Sequence, residues 1–263
     1  MMDEYAFEAK LYDKIWGRYD YDTDVRFLDR LFKKYRCRRI IDIGCGTGNH
    51  ATRLSSLGYE ITALDISPAM LRIFESKIKR DKIKIKQGDM KKLASIFPKE
   101  RFDAAILLGH AAYHLNTNKE SQAFLKGVHK ILKQKGLFVF NARNARKIDE
   151  TLLNNLRLRH LVNDDETQIV VLEHNVRDPR DPNTIVWRPI FLVKDKNRVD
   201  FQVREHKLRW FPFQQMKRLL TDNGFSIIST YSGPLKEKFN QDLHADMWFV
   251  TKTRARTRNS AEE

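Results

Sequence analysis

Between residues 25 and 35 the apolar side chains Val25, Leu28, Leu31 and Phe32 fall at the three-and-four spacing of one helical face. From Arg39 onward, short β-rich runs alternate with amphipathic ones. The strand-like runs are 39–43, 60–64, 82–87, 102–108 and 137–141; the helical ones are 49–57, 68 to about 79, and 119–132. Gly58 stops the first of these helices, Ser67 caps the second with Pro68 at its first position, and Lys135-Gly136 turns the chain after the third. Strands and helices alternating at this pitch predict a parallel sheet covered by helices on both faces.

The pattern then changes. Residues 168–176, 184–193 and 199–210 are three long β-like runs, joined by DPRDPN at 178–183 and KDKN at 194–197. With no helix between them they are expected to form an antiparallel sheet. Pro212 starts another helix, ending at Asn223-Gly224, and 225–230 and 247–251 are two last strands. The fold class expected is α/β: a Rossmann-like, mostly parallel seven-stranded sheet with helices on both faces, plus an inserted antiparallel β arm.

The 263 residues are 41% hydrophobic and 11% aromatic, enough for a full core. The net charge of +15 raises nucleic acid as a partner. Its distribution argues against that partner: acids and bases balance over residues 1–36, and the densest basic run, Lys77 to Lys86, reads as a solvated helix end and the outer face of a strand. That run is expected at the amino ends of the strands. The stretch KTRARTR at 252–258 reads as a frayed basic tail. No apolar run reaches membrane-spanning length, and the N-terminus lacks the basic and apolar regions of a signal peptide. Cys37 and Cys45 read as free thiols in a reducing compartment, which points to the cytoplasm.

The stretch IIDIGCGTGNH at 40–50 carries the chemistry. A strand, a glycine turn, a helix and an acid after the next strand suit either a dinucleotide or S-adenosylmethionine, with Asp65 placed to accept both ribose hydroxyls. Three details favour S-adenosylmethionine. Gly44, Gly46 and Gly48 leave Asn49 where the dinucleotide fingerprint needs glycine. Asp42 would repel a pyrophosphate but suits a ligand carrying an ammonium and a sulfonium. Gly88-Asp89-Met90 after the third strand supplies a carboxylate for an adenine amino group and a backbone N–H for the ring.

With these residues in place, 39–141 resembles the class I S-adenosylmethionine-dependent methyltransferases. IDIGCGTGNH resembles their first motif, ALDIS their second and QGDM their third. LYDKIWGRYDYDTDVRFL and the stretch ending in REHKLRWFPFQQMKRLLTDNGF resemble a small-molecule branch. That branch includes aminosugar N,N-dimethyltransferases and glycine/sarcosine-type N-methyltransferases. The resemblance implies an N-terminal helical lid segment (1–36), a cofactor-binding core (37–145), the β arm (146–210), a C-terminal part of the core (211–252) and a basic flexible tail (253–263). Candidate cofactor contacts are Asp42, Gly44, Cys45, Gly46, Gly48 and Asn49, then Asp65 and Ile66, Asp89 and Met90, Leu108 and Gly109, with Tyr21 from the lid.

Methyl transfer from a sulfonium is an in-line displacement that asks the protein to position the acceptor and exclude water. The loop after the fourth strand, GHAAYHLNTN, lies at the ligand end of a parallel sheet. In the resembling aminosugar enzymes a histidine before a leucine in this loop faces the substrate, and His114-Leu115 matches it. His114 is therefore the candidate base, and Tyr12, which matches a lid position of the family, its catalytic partner. An ordinary imidazole pKa near ~6.5 would leave His114 half-available as a base at neutral pH. His110, Tyr113 and Trp187 are candidate acceptor contacts. No zinc-type cysteine pair is present, and Asn141 and Asn144 lack the clustered aspartates of a metal-dependent site, so no metal is expected.

The expected function is methyl transfer to a small-molecule acceptor, an amine nitrogen first. RNA or protein methylation using the basic surface, and a non-catalytic S-adenosylmethionine-binding module, are the alternatives. His114 and Tyr12 argue against the last. The apolar alternation of the arm predicts a face packed over the site mouth, against a second copy in a homodimer, or both.

Overall fold

The computed structural model describes residues 5–78, 83–164, 167–196 and 198–254. Two helices open it, α1 (Ala6–Trp16) and α2 (Tyr21–Tyr35). The alternating core follows as β1 (Arg39–Ile43), α3 (Asn49–Ser56), β2 (Glu60–Asp65), α4 (Pro68–Lys77), β3 (Ile83–Gln87), the single turn α5 (Leu93–Ile96), β4 (Phe102–Leu107), α6 (Asn118–Ile131) and β5 (Leu132–Arg143). The arm is β6 (Leu156–Asn163), β7 (Thr167–Asp178), β8 (Asp181–Asp195), β9 (Arg198–Val203) and β10 (His206–Arg209). Helix α7 (Phe213–Asp222) and strands β11 (Phe225–Tyr231) and β12 (Asp246–Thr253) return to the core.

One sheet has seven strands in the order β11-β12-β5-β4-β1-β2-β3. The pairs from β3 to β5 are parallel, and β12 alone runs opposite to the rest, pairing antiparallel with both β5 and β11, so the sheet is mostly parallel as the sequence pattern required. Alternate strand residues feed opposite faces. Ile41, Ile43, Leu107 and Phe138 pack under α6 and α7. Ile40, Ile106 and Val139 meet Leu28, Phe32, Leu54 and Phe74 from α2, α3 and α4.

Local chemistry sets several boundaries. α2 starts at Tyr21 rather than Val25, because the Asp20 carboxylate accepts from Thr23 N at 3.0 Å. Ser67 caps α4 ahead of Pro68, as expected. Thr117 and Glu120 form a reciprocal capping box on α6. The helical crossover between β3 and β4 shrinks to a 3-10 turn (Met90–Lys92) and α5. β5 leaves α6 directly, and Lys135-Gly136 becomes an irregularity within it, with Lys135 at φ 59°.

The arm has five strands where three runs were expected. β6 was missed although LRLRHLVN alternates apolar and polar residues. The run at 199–210 divides in two, β9 pairing with one half of the long β8 and β10 with the other. The hairpin between β7 and β8 turns at Pro179-Arg180, tighter than the six residues expected. At the other end β12 runs to Thr253, which is buried, so Lys252 and Thr253 belong to the sheet and not to a tail. Residues 255–258 of that basic stretch lie outside the described residues, as do 79–82 of the run from Lys77 to Lys86.

α1 is wedged between arm and core. Phe7, Leu11, Ile15 and Trp16 pack on Ile169, Val171, Phe191 and Val193 of the arm. Tyr5, Ala9 and Tyr12 pack on Ala69 and Met70 of α4. Among the described residues no helix is long and apolar enough to cross a membrane.

Candidate active site

The chain leaves β1 toward β2 on one side and returns to β4 on the other, so the sheet has its switch point between β1 and β4. A crevice at the carboxyl ends of strands flanking such a point is where open α/β sheets bind ligands. The glycine turn after β1 and the loop after β4 meet there. A Cβ on Gly44 would lie 3.0 Å from that of Ala111.

The turn is rigid on one side and open on the other. Gly44 N and Cys45 N donate to Leu64 O at 2.7 and 3.0 Å. Gly48 has φ +80°, and a Cβ there would come within 2.2 Å of the Phe74 ring. A Cβ on Gly46 or Gly109 would meet no heavy atom within 4 Å. Asp65 Oδ2 accepts from Gly46 N at 2.8 Å and Oδ1 from Ser67 N at 2.9 Å, which fixes the carboxylate at the end of β2. Ile66 beside it is exposed, and Leu108 and Cys45 are buried. Asp89 accepts from Lys91 N at 2.9 Å and stands before the half-buried Met90.

Asp42 is fully buried and its Oδ2 has no hydrogen-bond partner among the described residues. Burial raises its pKa to about 7, with the Asp65 charge adding to the effect and His50 opposing it. A buried acid with an unmatched oxygen beside open glycine turns suits a cationic ligand. Together these residues fit S-adenosylmethionine.

The lid segment is tied into this turn through Asp13, a residue not singled out from the sequence. Its Oδ1 accepts from Thr47 Oγ1 at 2.7 Å and Asn49 Nδ2 at 3.0 Å, while Oδ2 pairs with Lys77 Nζ at 2.5 Å. Burial works against ionisation here, but the bonds from Lys77, Asn49 and Thr47 hold the carboxyl below its usual range. Lys77 thus reaches the glycine turn, contrary to the expectation that the basic run lies opposite the site. Lys77, the last residue of α4, meets α1 through Asp13. Tyr12 lies beside this hub: burial, then Tyr21, Asp65 and Asp13, push its phenol above the ordinary value. Tyr21 is buried against His50, under the Arg53 guanidinium, and its phenol rises to about 12.

After β4, His114 meets Tyr5 rather than Tyr12. Tyr5 OH stands 3.4 Å from Nδ1, with the rings edge to face at 5.9 Å. Burial, assisted by His206 and Lys91, lowers the His114 pKa to about 4. This corrects the half-protonated imidazole expected from the sequence: the ring is neutral throughout the physiological range. Tyr5 stacks on His206, which stacks on Trp187. His206 Nε2 lies 3.3 Å from Glu8, and Trp187 Nε1 donates to the buried Glu173 at 2.8 Å. Trp187 thus faces α1 and the loop after β4.

His110 and Tyr113 form a separate group with β5 and β12. His110 has φ 62°, its backbone N–H donates to Asn141 Oδ1 at 3.2 Å, and its Nε2 pairs with Asp246 at 3.0 Å. Arg143 Nε lies 3.2 Å from both Asp246 and Tyr113 OH. The Tyr113 ring stacks between His110 and Trp210. Tyr5, Glu8, Arg143, Glu173, His206 and Asp246 were not picked from the sequence. No local spacing marks them; strand pairing and the α1 wedge bring them together.

The fold and this crevice define a Rossmann-like methyltransferase architecture, and comparison with known proteins agrees. The family described as Methyltransferase domain matches residues 40–136. A glycine/sarcosine N-methyltransferase from Aphanothece halophytica is 26% identical over 224 residues, covering 84% of this chain and 78% of that protein. An S-adenosylmethionine-dependent methyltransferase structure from Clostridium acetobutylicum superposes with a TM-score of 0.81 at 20% identity, covering 95% of this chain and 99% of the other. A sugar N-methyltransferase structure from a Streptoalloteichus species gives 0.75 at 18% identity, covering 91% and 90%. Residues 40–136 carry the methyltransferase domain, and the chain is an S-adenosylmethionine-dependent methyltransferase.

Proposed function

We propose that the protein methylates an amine nitrogen of a small molecule. The observation that carries this reading is the half-buried, neutral His114 in the loop after β4, met by Tyr5 at the start of α1, with α1 in turn packed on the inner side of the arm. A mouth covered this way suits a small acceptor better than a polymer. The similarity to N-methyltransferases of glycine and sarcosine supports the same acceptor atom.

Asp65 is assigned to the ribose hydroxyls, Asp42 to the cationic amino-acid end, and Asp89 with the Met90 N–H to the adenine. Gly44, Gly46, Gly48 and Gly109 leave room for the ligand to approach the backbone, flanked by Cys45, Asn49, Ile66 and Leu108. Tyr12 and Tyr21 close the lid side. S-adenosylmethionine supplies a methyl group already activated on sulfonium.

The protein's task is then to present a free amine lone pair. The desolvation that keeps His114 neutral also disfavours an ammonium, so the acceptor sheds its proton on entry. His114 accepts a hydrogen bond from the amine N–H and aims the lone pair, with Tyr5 holding the ring. His110, Tyr113 and Trp187 line the acceptor side.

Transfer of labelled methyl to a panel of glycine, sarcosine, amino sugars and tRNA tests the reading. Labelling of at least one small amine is expected. Labelling confined to tRNA or to hydroxyl acceptors would overturn it.

A further inference from the structure

The end of the sheet opposite the crevice holds a basic cavity. Its volume is about 200 Å³, and Arg101, His129, Lys133, Thr253 and Arg254 are among its walls. Arg101 precedes β4, Lys133 is near the start of β5, and Thr253 ends the antiparallel β12 with Arg254 after it. These three strands are neighbours. The six residues of β4 separate cavity from crevice by about 20 Å. A break in strand pairing opens the cavity. Between the pairs Phe102–Leu132 and Ala104–Leu137, β4 advances two residues and β5 five, so residues 133–136 bulge out. Thr253 stitches the bulge to β12: its hydroxyl accepts from Gly136 N at 3.1 Å and donates to Lys133 O at 2.9 Å. The wall is thus fixed before any ligand arrives.

We infer that this cavity is a second binding site, for a phosphate group of a ligand that is neither the cofactor nor the methyl acceptor. Charge selects that chemistry. Among the described residues no carboxylate lines the cavity. Lys133 Nζ is paired at 2.6 Å with Asp103, whose other oxygen accepts from Arg38 N and Arg39 N at 2.9 and 2.8 Å. The two guanidiniums have no carboxylate partner among the described residues. Arg101 Nη1 donates to Pro98 O and Glu100 O at 3.3 and 2.7 Å, and Arg254 Nε reaches Ser226 Oγ at 3.4 Å. Their other N–H groups are left for a ligand. The last carbonyls of α6 bring a partial negative charge of about half an electron, less than either guanidinium offsets. Because β4 and β12 flank β5, the two arginine backbones stand about 10 Å apart, two strand spacings. Guanidiniums reaching in from both sides offer planar forks to one tetrahedral anion. Pockets for whole drug-sized molecules run from about 300 to 1,000 Å³. This smaller cavity suits a phosphate or pyrophosphate group with the rest of its ligand outside. A small phosphorylated molecule and an RNA backbone share that chemistry.

Calorimetry with inorganic pyrophosphate, and fluorescence anisotropy with a short labelled uridine RNA, test this on the full chain at about 0.15 M salt. Saturable binding of pyrophosphate is expected, with a Kd of about 1 mM or tighter. Arg101→Gln with Arg254→Gln is expected to weaken it at least about 10-fold, with Tm and S-adenosylmethionine affinity unchanged. Arg101→Lys keeps the charge, loses the fork and is expected to fall between. Lys84→Gln with Lys119→Gln removes the same charge from exposed positions elsewhere and is expected to change binding by less than about 2-fold. RNA binding that is tighter than that of pyrophosphate and is lost in the same arginine pair assigns the site to phosphodiesters. Pyrophosphate binding with weaker RNA binding assigns it to a small phosphorylated molecule. No saturable binding of either probe overturns the site. So does an equal loss in the arginine and lysine pairs, which would make the attraction a diffuse effect of the +15 net charge.

Discussion

The Asp13 carboxylate accepts the Thr47 hydroxyl at 2.7 Å, fastening the first helix to the turn that cradles the cofactor. Hydrogen bonds to a charged group contribute about 1.5–3 kcal/mol, and Asp13 makes three polar contacts that share one anchor. Asp13→Ala is expected to weaken cofactor binding by about 10- to 100-fold and to speed proteolysis within α1. Calorimetry showing wild-type affinity, with unchanged cleavage, would break the link between lid and turn.

Asp42 predicts an opposition between stability and binding. In the unfolded chain it ionises near ~3.9, whereas the fold holds its proton to about 7. Its stabilising contribution is complete below about pH 4 and is lost as pH rises through 7. Asp42→Asn is therefore expected to raise the Tm of the cofactor-free protein more at pH 8 than at pH 5. The same change is expected to cost at least about 10-fold in cofactor affinity. An equal Tm gain at both pH values would show that the burial of Asp42 is not what costs stability.

His114 has the opposite titration. Unfolded it takes a proton near ~6.5, folded only near about 4, so the fold loses stability as pH falls through that window. Imidazole NMR of the cofactor-free protein is expected to find one ring with a midpoint near 4, absent in His114→Ala. That variant is expected to lower turnover on the order of 10- to 1,000-fold with little change in cofactor affinity. A ring titrating near 6.5 would restore an ordinary general base.

Two glycines in one turn are expected to fail differently. Gly48→Ala drives a Cβ into Phe74 at a positive φ and is expected to destabilise the fold by several kcal/mol. Gly46→Ala meets open space, so it is expected to cost only about 1–2 kcal/mol in stability while blocking the cofactor. Thermal melts beside binding isotherms distinguish them; retained binding in Gly46→Ala would move the cofactor away from that glycine.

The sequence by itself determined the cofactor and the parallel sheet. Both rest on short-range chemistry: apolar runs of fixed period, caps such as Ser67-Pro68, and Asp42, the three glycines, Asp65 and Asp89 at fixed offsets from strand ends. Strand β6 was equally legible in its alternation and was overlooked, whereas the division of β9 from β10 depends on how the long β8 is shared. Only the tertiary structure decided what surrounds each of these groups. Tyr5 and His114 are 109 residues apart, and His110 and Asp246 are 136 apart. A pKa is set by every charge and every lost water around a group, whatever its distance along the chain. That is why the spacing of His114 gave its place in the loop, while its neutrality came from the burial created when α1, the arm and the core closed together.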